Sequence, residues 1–462
     1  MTEPGINPSN THVSTSHKSP PHLSSHALLG SASPMQRDPL GFLLSTRRYG
    51  EVVGMRFVFS PAYLLYHPDA VKHVLQEHHF NYNKDLFTYR VVRPVLGDGL
   101  FTNDGASWLH QRRLIQPAFH RKRLATYATL MTEATDAMLE CWQAREASAG
   151  PLDMAEEMMR LTLRIVGQAL FSLDLSQETS TVGQAVTTLV KLLGDYVYAP
   201  FPPLGIPTSR NRHMHAAIHA LDTVVAGIIK ERRERESDMG DLLSMLLSAR
   251  DEETGEGMSD QQARDEVMTL LLAGHETTAN ALTWTWFLLS EHPEVENRLH
   301  AELADVLGGC LPTVEHLPRL TYTAMVLQET LRLYPPVWVL SRKALADDEL
   351  GGYAIPQGSM VILSPYATHR HPTFWEQPEV FDPERFTPER VAARHHYAYF
   401  PFGGGPRLCI GSNFALMEAQ LVLATVAQRY RLRLAPGHLV VPEAKLTLRP
   451  RSGMPMMVQH IS

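Results

Sequence analysis

The segment from Ser259 to Pro293 does more than any other to limit what this chain can become. Ser259 followed three residues later by Gln262 reads as a capping box, in which each side chain satisfies an orphaned amide of the first helical turn. Apolar residues then run from Val267 to Leu289, and Pro293 stops the helix. At 1.5 Å per residue the rod is about 45 to 50 Å long, enough to cross a whole domain. A helix so apolar is either buried in protein or spans a membrane. His275, Glu276 and Asn280 in its middle favour the first, because one carboxylate at a bilayer centre costs about 2.5–3.5 kcal/mol. Glu276, set amid Leu270, Leu271, Leu272 and Leu282, must be paired, neutral or functional.

Around this rod the pattern is mostly helical. The runs Val52–Phe59 and Ala62–Tyr66, split by Ser60-Pro61, predict a hairpin. Residues 68–335 predict helices, with breaks at Pro117, Pro200 to Pro207 and Asp251 to Gly257. Strand-like patches follow at Leu340–Ala344, Gly352–Pro356 and Ser359–Leu363. A helix from Asn413 to Arg429 and short terminal strands complete the chain. The fold class is therefore mainly α with a smaller β region. Nothing divides the 462 residues, so residues 37–462 are expected to form a single domain. Residues 1–36, rich in Ser, Pro, Thr and His, lack periodicity and are expected to be a disordered tail. Its best apolar run, Ala27-Leu28-Leu29, is too short for a signal peptide or a membrane anchor. Its histidines, His12, His17, His22 and His26, have no fixed ligand spacing. A net charge of −7 without a basic stripe excludes a nucleic-acid binder. Three cysteines, Cys141, Cys310 and Cys409, make no paired framework and suit a reducing compartment, the cytoplasm.

One of these cysteines stands in Phe402-Gly403-Gly404-Gly405-Pro406-Arg407-Leu408-Cys409-Ile410-Gly411, a glycine-rich loop that runs into an apolar helix. A helix N-terminus and a cation two residues away both favour a thiolate, the form that binds metals. Glycines let the backbone lie close to a flat cofactor. The loop resembles the haem-binding loop of the cytochrome P-450 family, and four further motifs occur in that family's order. These are Trp108-x-x-x-Arg112, Ala273-Gly274-His275-Glu276-Thr277, Glu329-x-x-Arg332 and Pro383-Glu384-Arg385-Phe386.

The resemblance implies a cytochrome P-450-like fold with haem b sandwiched between the long central helix and the cysteine-loop helix. It implies Cys409 as axial iron ligand, with Trp108, Arg112, Arg342 and Arg407 on the propionates and Ala273 and Phe402 also lining the cofactor. Thr277 and Glu276 would deliver protons to iron-bound dioxygen. Glu329, Arg332 and Arg385 would form a structural triad. The reaction implied is insertion of one oxygen atom from O2 into a hydrophobic small molecule: a fatty acid, terpenoid or polyketide-like compound. Walls for it are expected from Phe87, Tyr89, Val197, Phe201, Val337 and Val339. The cluster Arg113, Arg121, Lys122 and Arg123 would meet an acidic ferredoxin or flavodoxin served by its NAD(P)H reductase, since no reductase domain follows Ser462. A monomer without a membrane anchor is expected. Two rivals stay open: a haem-thiolate isomerase or dehydratase that needs no external electrons, and a haem-binding sensor that turns nothing over.

Overall fold

The capping box forms as the sequence requires. In the computed structural model, which describes residues 18–23, 32–57, 60–144, 150–175, 181–198, 202–235, 239–251 and 255–461, Gln262 N donates to Ser259 Oγ at 3.2 Å. Ser259 N donates back to Gln262 Oε1 at 2.9 Å. The helix they open is Asp260–Glu291. It is buried on most of its surface, with Trp284 donating to Leu448 O at 3.0 Å and stacking on Tyr334 with ring centroids 4.1 Å apart. Helix Met154–Phe171 packs along it. There Thr162 Oγ1 donates to His275 O at 3.1 Å, and His275 Nε2 meets Met159 O at 3.1 Å. Burial pulls His275 down to about 4, so the imidazole is neutral and ties two helices together.

The hairpin forms as Val52–Phe57 and Ser60–Leu65, with Val52 opposite Leu65. Its second strand pairs in parallel with Met360–Leu363, which pairs antiparallel with Leu340–Ala344, and Tyr82–Asn83 completes a five-stranded sheet. Parallel pairing needs a long crossover, and here the whole helical body lies between the two strands. A three-stranded sheet near the C-terminus joins Leu152–Asp153, Pro455–His460 and Tyr430–Leu434. Among the described residues no helix is long and apolar enough to cross a membrane.

The disordered tail over 1–36 needs correction. Residues 18–23 lie on the sheet: Gly54 N donates to Pro21 O and Leu23 N to Gly54 O, each at 2.9 Å. Pro20 is buried, and Leu23 packs on the core beneath the hairpin. A short helix, Ala32–Arg37, also begins before the expected boundary. Composition missed both because the order comes from an edge strand that accepts backbone partners of almost any sequence. Residues 1–17 and 24–31 lie outside the described residues.

Candidate functional site

The cysteine loop is shaped by steric necessity. Gly405 has φ +63°, and a Cβ there would lie 1.8 Å from Leu75 O, so no side chain fits. Cys409 N donates to Phe402 O at 3.0 Å, closing the loop. Helix Ser412–Ala427 starts at once and packs on the central helix. Burial pushes the Cys409 thiol up, while the Gly411 amide and the Arg112 charge pull it back toward the thiolate. Its side chain is nonetheless solvent-accessible. The two facts agree if the sulfur opens onto an internal space rather than the outer surface.

Cations gather beside it. Trp108 and Arg112 lie on helix Gly105–Ile115, where Arg112 Nη1 donates to Leu408 O at 3.1 Å. Arg407 sits over the Trp108 ring at 4.1 Å, donates to Asn103 O at 2.9 Å and pairs with Asp104. Burial draws Arg407 down to about 10. Arg342, itself buried, donates to Tyr89 Oη at 3.1 Å and Ser341 O at 2.8 Å. Lys84 joins them, its Nζ donating to Phe101 O at 2.7 Å and its amide to Asp104 Oδ2 at 2.6 Å. Burial first, then Arg342 and Arg407, push the Lys84 ammonium well below the ordinary lysine range. Lys84 and Arg407 thus share Asp104 as the carboxylate beside them, and Arg342 adds a third cation close to both. Such an arrangement is costly unless further anions arrive.

The central helix shows two different faces. Ala273 is exposed and Thr277 partly so, although they sit mid-helix between buried neighbours. Spaced four apart, they share one face, and Thr277 Oγ1 donates to Ala273 O at 2.6 Å. Glu276 points elsewhere: it is buried, and Thr447 Oγ1 donates to its Oε1 at 2.7 Å while Asn280 Nδ2 donates to Thr447 Oγ1 at 3.0 Å. Burial pushes its carboxyl up.

Glu329, Arg332 and Arg385 meet as a buried triad. Arg332 donates Nε and Nη2 to the two Glu329 oxygens, each at 2.7 Å, and gives its remaining hydrogens to His369 O, Pro378 O and Val380 O. Arg385 Nε lies 3.3 Å from Glu329 Oε1, which also accepts from the Asp382 amide at 2.9 Å. The triad fixes the chain segment that leads to the cysteine loop.

These residues fit a haem: a thiol at a helix N-terminus, cations in excess for two carboxylates, and an open helical face of small residues. A family model described as Cytochrome P-450 matches residues 20–455. The chain belongs to the cytochrome P-450 family. It is 42% identical over 431 residues to cyclooctatin synthase of Streptomyces melanosporofaciens, covering 92% of this chain and 91% of that one. Cyclooctat-9-en-7-ol 5-monooxygenase of the same organism is 40% identical over 419 residues (89% and 88% covered), and pentalenene oxygenase of Streptomyces avermitilis 35% over 422 residues (91% and 93%). The crystal structure of the cytochrome P450DA heme domain superposes with a TM-score of 0.89 at 30% identity, over 96% of this chain and 98% of that one. As a cytochrome P-450 monooxygenase, this protein uses haem b with a cysteine axial ligand.

Of the site residues expected in this P-450, Trp108, Arg112, Arg342, Arg407 and Cys409 come from three separate segments into one neighbourhood, with Phe402 hydrogen-bonded to Cys409 through the backbone. Thr277 and Ala273 share the open face, whereas Glu276 does not. Sequence reasoning missed Lys84 and Asp104. No local signal marks Lys84, because its partners Phe101 and Asp104 and the cations Arg342 and Arg407 come together only in the fold. Among the expected pocket walls, Phe87 is exposed, Tyr89 is buried and bonded to Arg342, and Val337 and Val339 are half-buried. The Val197 side chain and Phe201 lie outside the described residues.

Proposed function

We propose that this P-450 hydroxylates a terpenoid, with Cys409 as the thiolate ligand of its haem. Haem, when bound, supplies reductive activation of dioxygen at its iron, and a thiolate ligand favours O–O cleavage. Arg112, Arg342, Arg407 and Trp108, joined by Lys84, hold the propionates, and Ala273 and Phe402 flank the ring. Thr277 is the proton donor: its hydroxyl now back-bonds to Ala273 O, and a rotation about χ1 at this Gly274-adjacent turn offers the proton to the open face. Glu276 serves as a buried proton reserve held by Thr447, its carboxyl pushed up by burial, rather than as a group already facing the reactants. Half-buried Leu270, Val337 and Val339 keep the site apolar and exclude water. Electrons come from a ferredoxin or flavodoxin that docks by the cluster Arg113, Arg121, Lys122 and Arg123, the Arg121 side chain lying outside the described residues.

The observation that carries the terpenoid reading is the likeness, over about nine-tenths of the chain, to three Streptomyces terpenoid oxygenases. The test is a panel of terpene hydrocarbons, terpene alcohols, fatty acids and macrolides scored by the change in iron spin state. Turnover with ferredoxin, reductase and NADPH follows for the binders. Hydroxylated terpene is expected, and Thr277→Ala should cut product per NADPH about a hundredfold while peroxide rises. Product made without the electron donor would establish an isomerase or dehydratase. Binding without product, unmoved by Thr277→Ala, would establish a sensor.

A further inference from the structure

Helix Pro68–Lys72 runs directly into a π-helical turn at His73–Glu77, marked by the bond from His78 N to His73 O at 2.8 Å, an i to i+5 pairing. In a regular α-helix, residues five apart diverge by about 140°. The wider turn instead brings the two imidazoles together in a tilted pair, with ring centroids 3.9 Å apart and planes at 32°. Both rings are directed at one carboxylate. Asp348, at the start of strand Asp348–Leu350, has its Oδ2 3.0 Å from His73 Nε2 and its Oδ1 3.9 Å from His78 Nδ1. One ligand atom from each residue lies within 4.8 Å of the others.

We propose that His73, His78 and Asp348 form a binding site for a divalent transition metal of the zinc type, separate from the haem centre. Zinc bonds nitrogen and carboxylate oxygen at about 2.0–2.2 Å, which sets ligand atoms about 3.3 Å apart in a tetrahedron. The observed separations bracket that spacing, so small side-chain rotations close the site. Asp348 is oriented by Tyr82 Oη at 2.8 Å and Asn81 Nδ2 at 3.3 Å, both on Oδ2, and by the Glu349 amide at 2.8 Å on Oδ1, which leaves each oxygen a further lone pair for a metal once His73 turns from donor to ligand. Outer partners of this kind are typical of real metal sites. A cleft of about 260 Å³ lined by His67, His73, Glu77 and Glu349 provides an entry path. A π turn within a helix is itself often a mark of function.

The site braces the haem loop from behind. Leu75 and Gln76, between the two histidines, form the wall against Gly405, and Gln76 Oε1 accepts from Tyr397 Oη at 2.9 Å. Metal binding is therefore expected to raise the melting temperature of the holoenzyme.

Calorimetric titration of the full-length holoenzyme with zinc chloride tests this. The tail histidines set a background common to every variant. In His73→Gln/His78→Gln the stoichiometry should fall by one zinc per chain, with an unchanged carbon monoxide difference spectrum as proof of folding. His78→Gln alone, at an exposed side chain, should weaken that site at least tenfold. Zinc K-edge absorption of the wild type should count two imidazoles and one carboxylate. Equal stoichiometry and affinity in wild type and both variants would overturn the site.

Discussion

Two clusters of buried charge in this P-450 are built from the same residue types and do opposite things. In the Glu329–Arg332–Arg385 triad every Arg332 hydrogen has a partner, and the carboxylate is held by two guanidiniums and an amide. Around the cysteine loop, three cations, Lys84, Arg342 and Arg407, gather with one carboxylate, that of Asp104, which Lys84 and Arg407 share. The first cluster is nearly closed, with Arg385 Nε held only by its ion pair to Glu329, and it holds the chain in place. The second remains short of negative charge and is therefore built to receive anions. What separates structure from function here is not burial or charge, since both clusters have each, but how much of the carboxylate and guanidinium pairing is already made within the protein.

Cys409→Ala strikes the open region hardest. It should abolish the red-shifted carbon monoxide band of thiolate-ligated ferrous haem and all monooxygenase turnover; retention of that band would break the comparison at its root. Glu329→Ala strikes the closed one. Two buried guanidiniums lose their counterion, so a stability loss of about 3–5 kcal/mol is expected in urea unfolding. A loss below 1 kcal/mol would show that the triad is not closed in the sense argued.

Glu266 stands between the two extremes. Its Oε2 accepts from the Leu100 amide at 3.0 Å, its Oε1 has no partner among the described residues, and burial pushes its carboxyl from 4.5 to about 8. The folded state therefore holds this proton more tightly than the unfolded chain. Its contribution to stability is fully present below about pH 4.5, is lost as pH rises to about 8, and is constant above. Glu266→Gln should flatten that few-kcal/mol decline in thermal melts across the same window. Smallest is Lys84→Met: haem transfer to apomyoglobin should quicken about tenfold, as for loss of one charge-assisted hydrogen bond, with the fold intact. No change in haem loss would remove Lys84 from the anion-receiving set.

Much of the fold was legible because its signals are local. The Ser259–Gln262 capping box, the Val52–Leu65 hairpin, the Pro293 stop and the glycines of the cysteine loop act within a few residues of chain. Glu329 and Arg332 share a helix face by spacing alone. The family motifs also pointed to Trp108, Arg112, Arg342 and Arg407, which the fold brings into the neighbourhood of the cysteine loop.

Other features were decided only when distant segments met. Glu276 found Thr447, 171 residues away, and so faces away from the surface that Thr277 shares with Ala273. Lys84 and Asp104 became part of the cation cluster, residues 18–23 found a strand to pair with, and a π turn brought two histidines to Asp348. By itself the sequence determined which helices and turns form and which cysteine can meet a metal, because backbone propensity, capping and steric exclusion are short-range. The tertiary structure alone decided which charges are neutralised, because burial and partners depend on segments that local patterning cannot bring together.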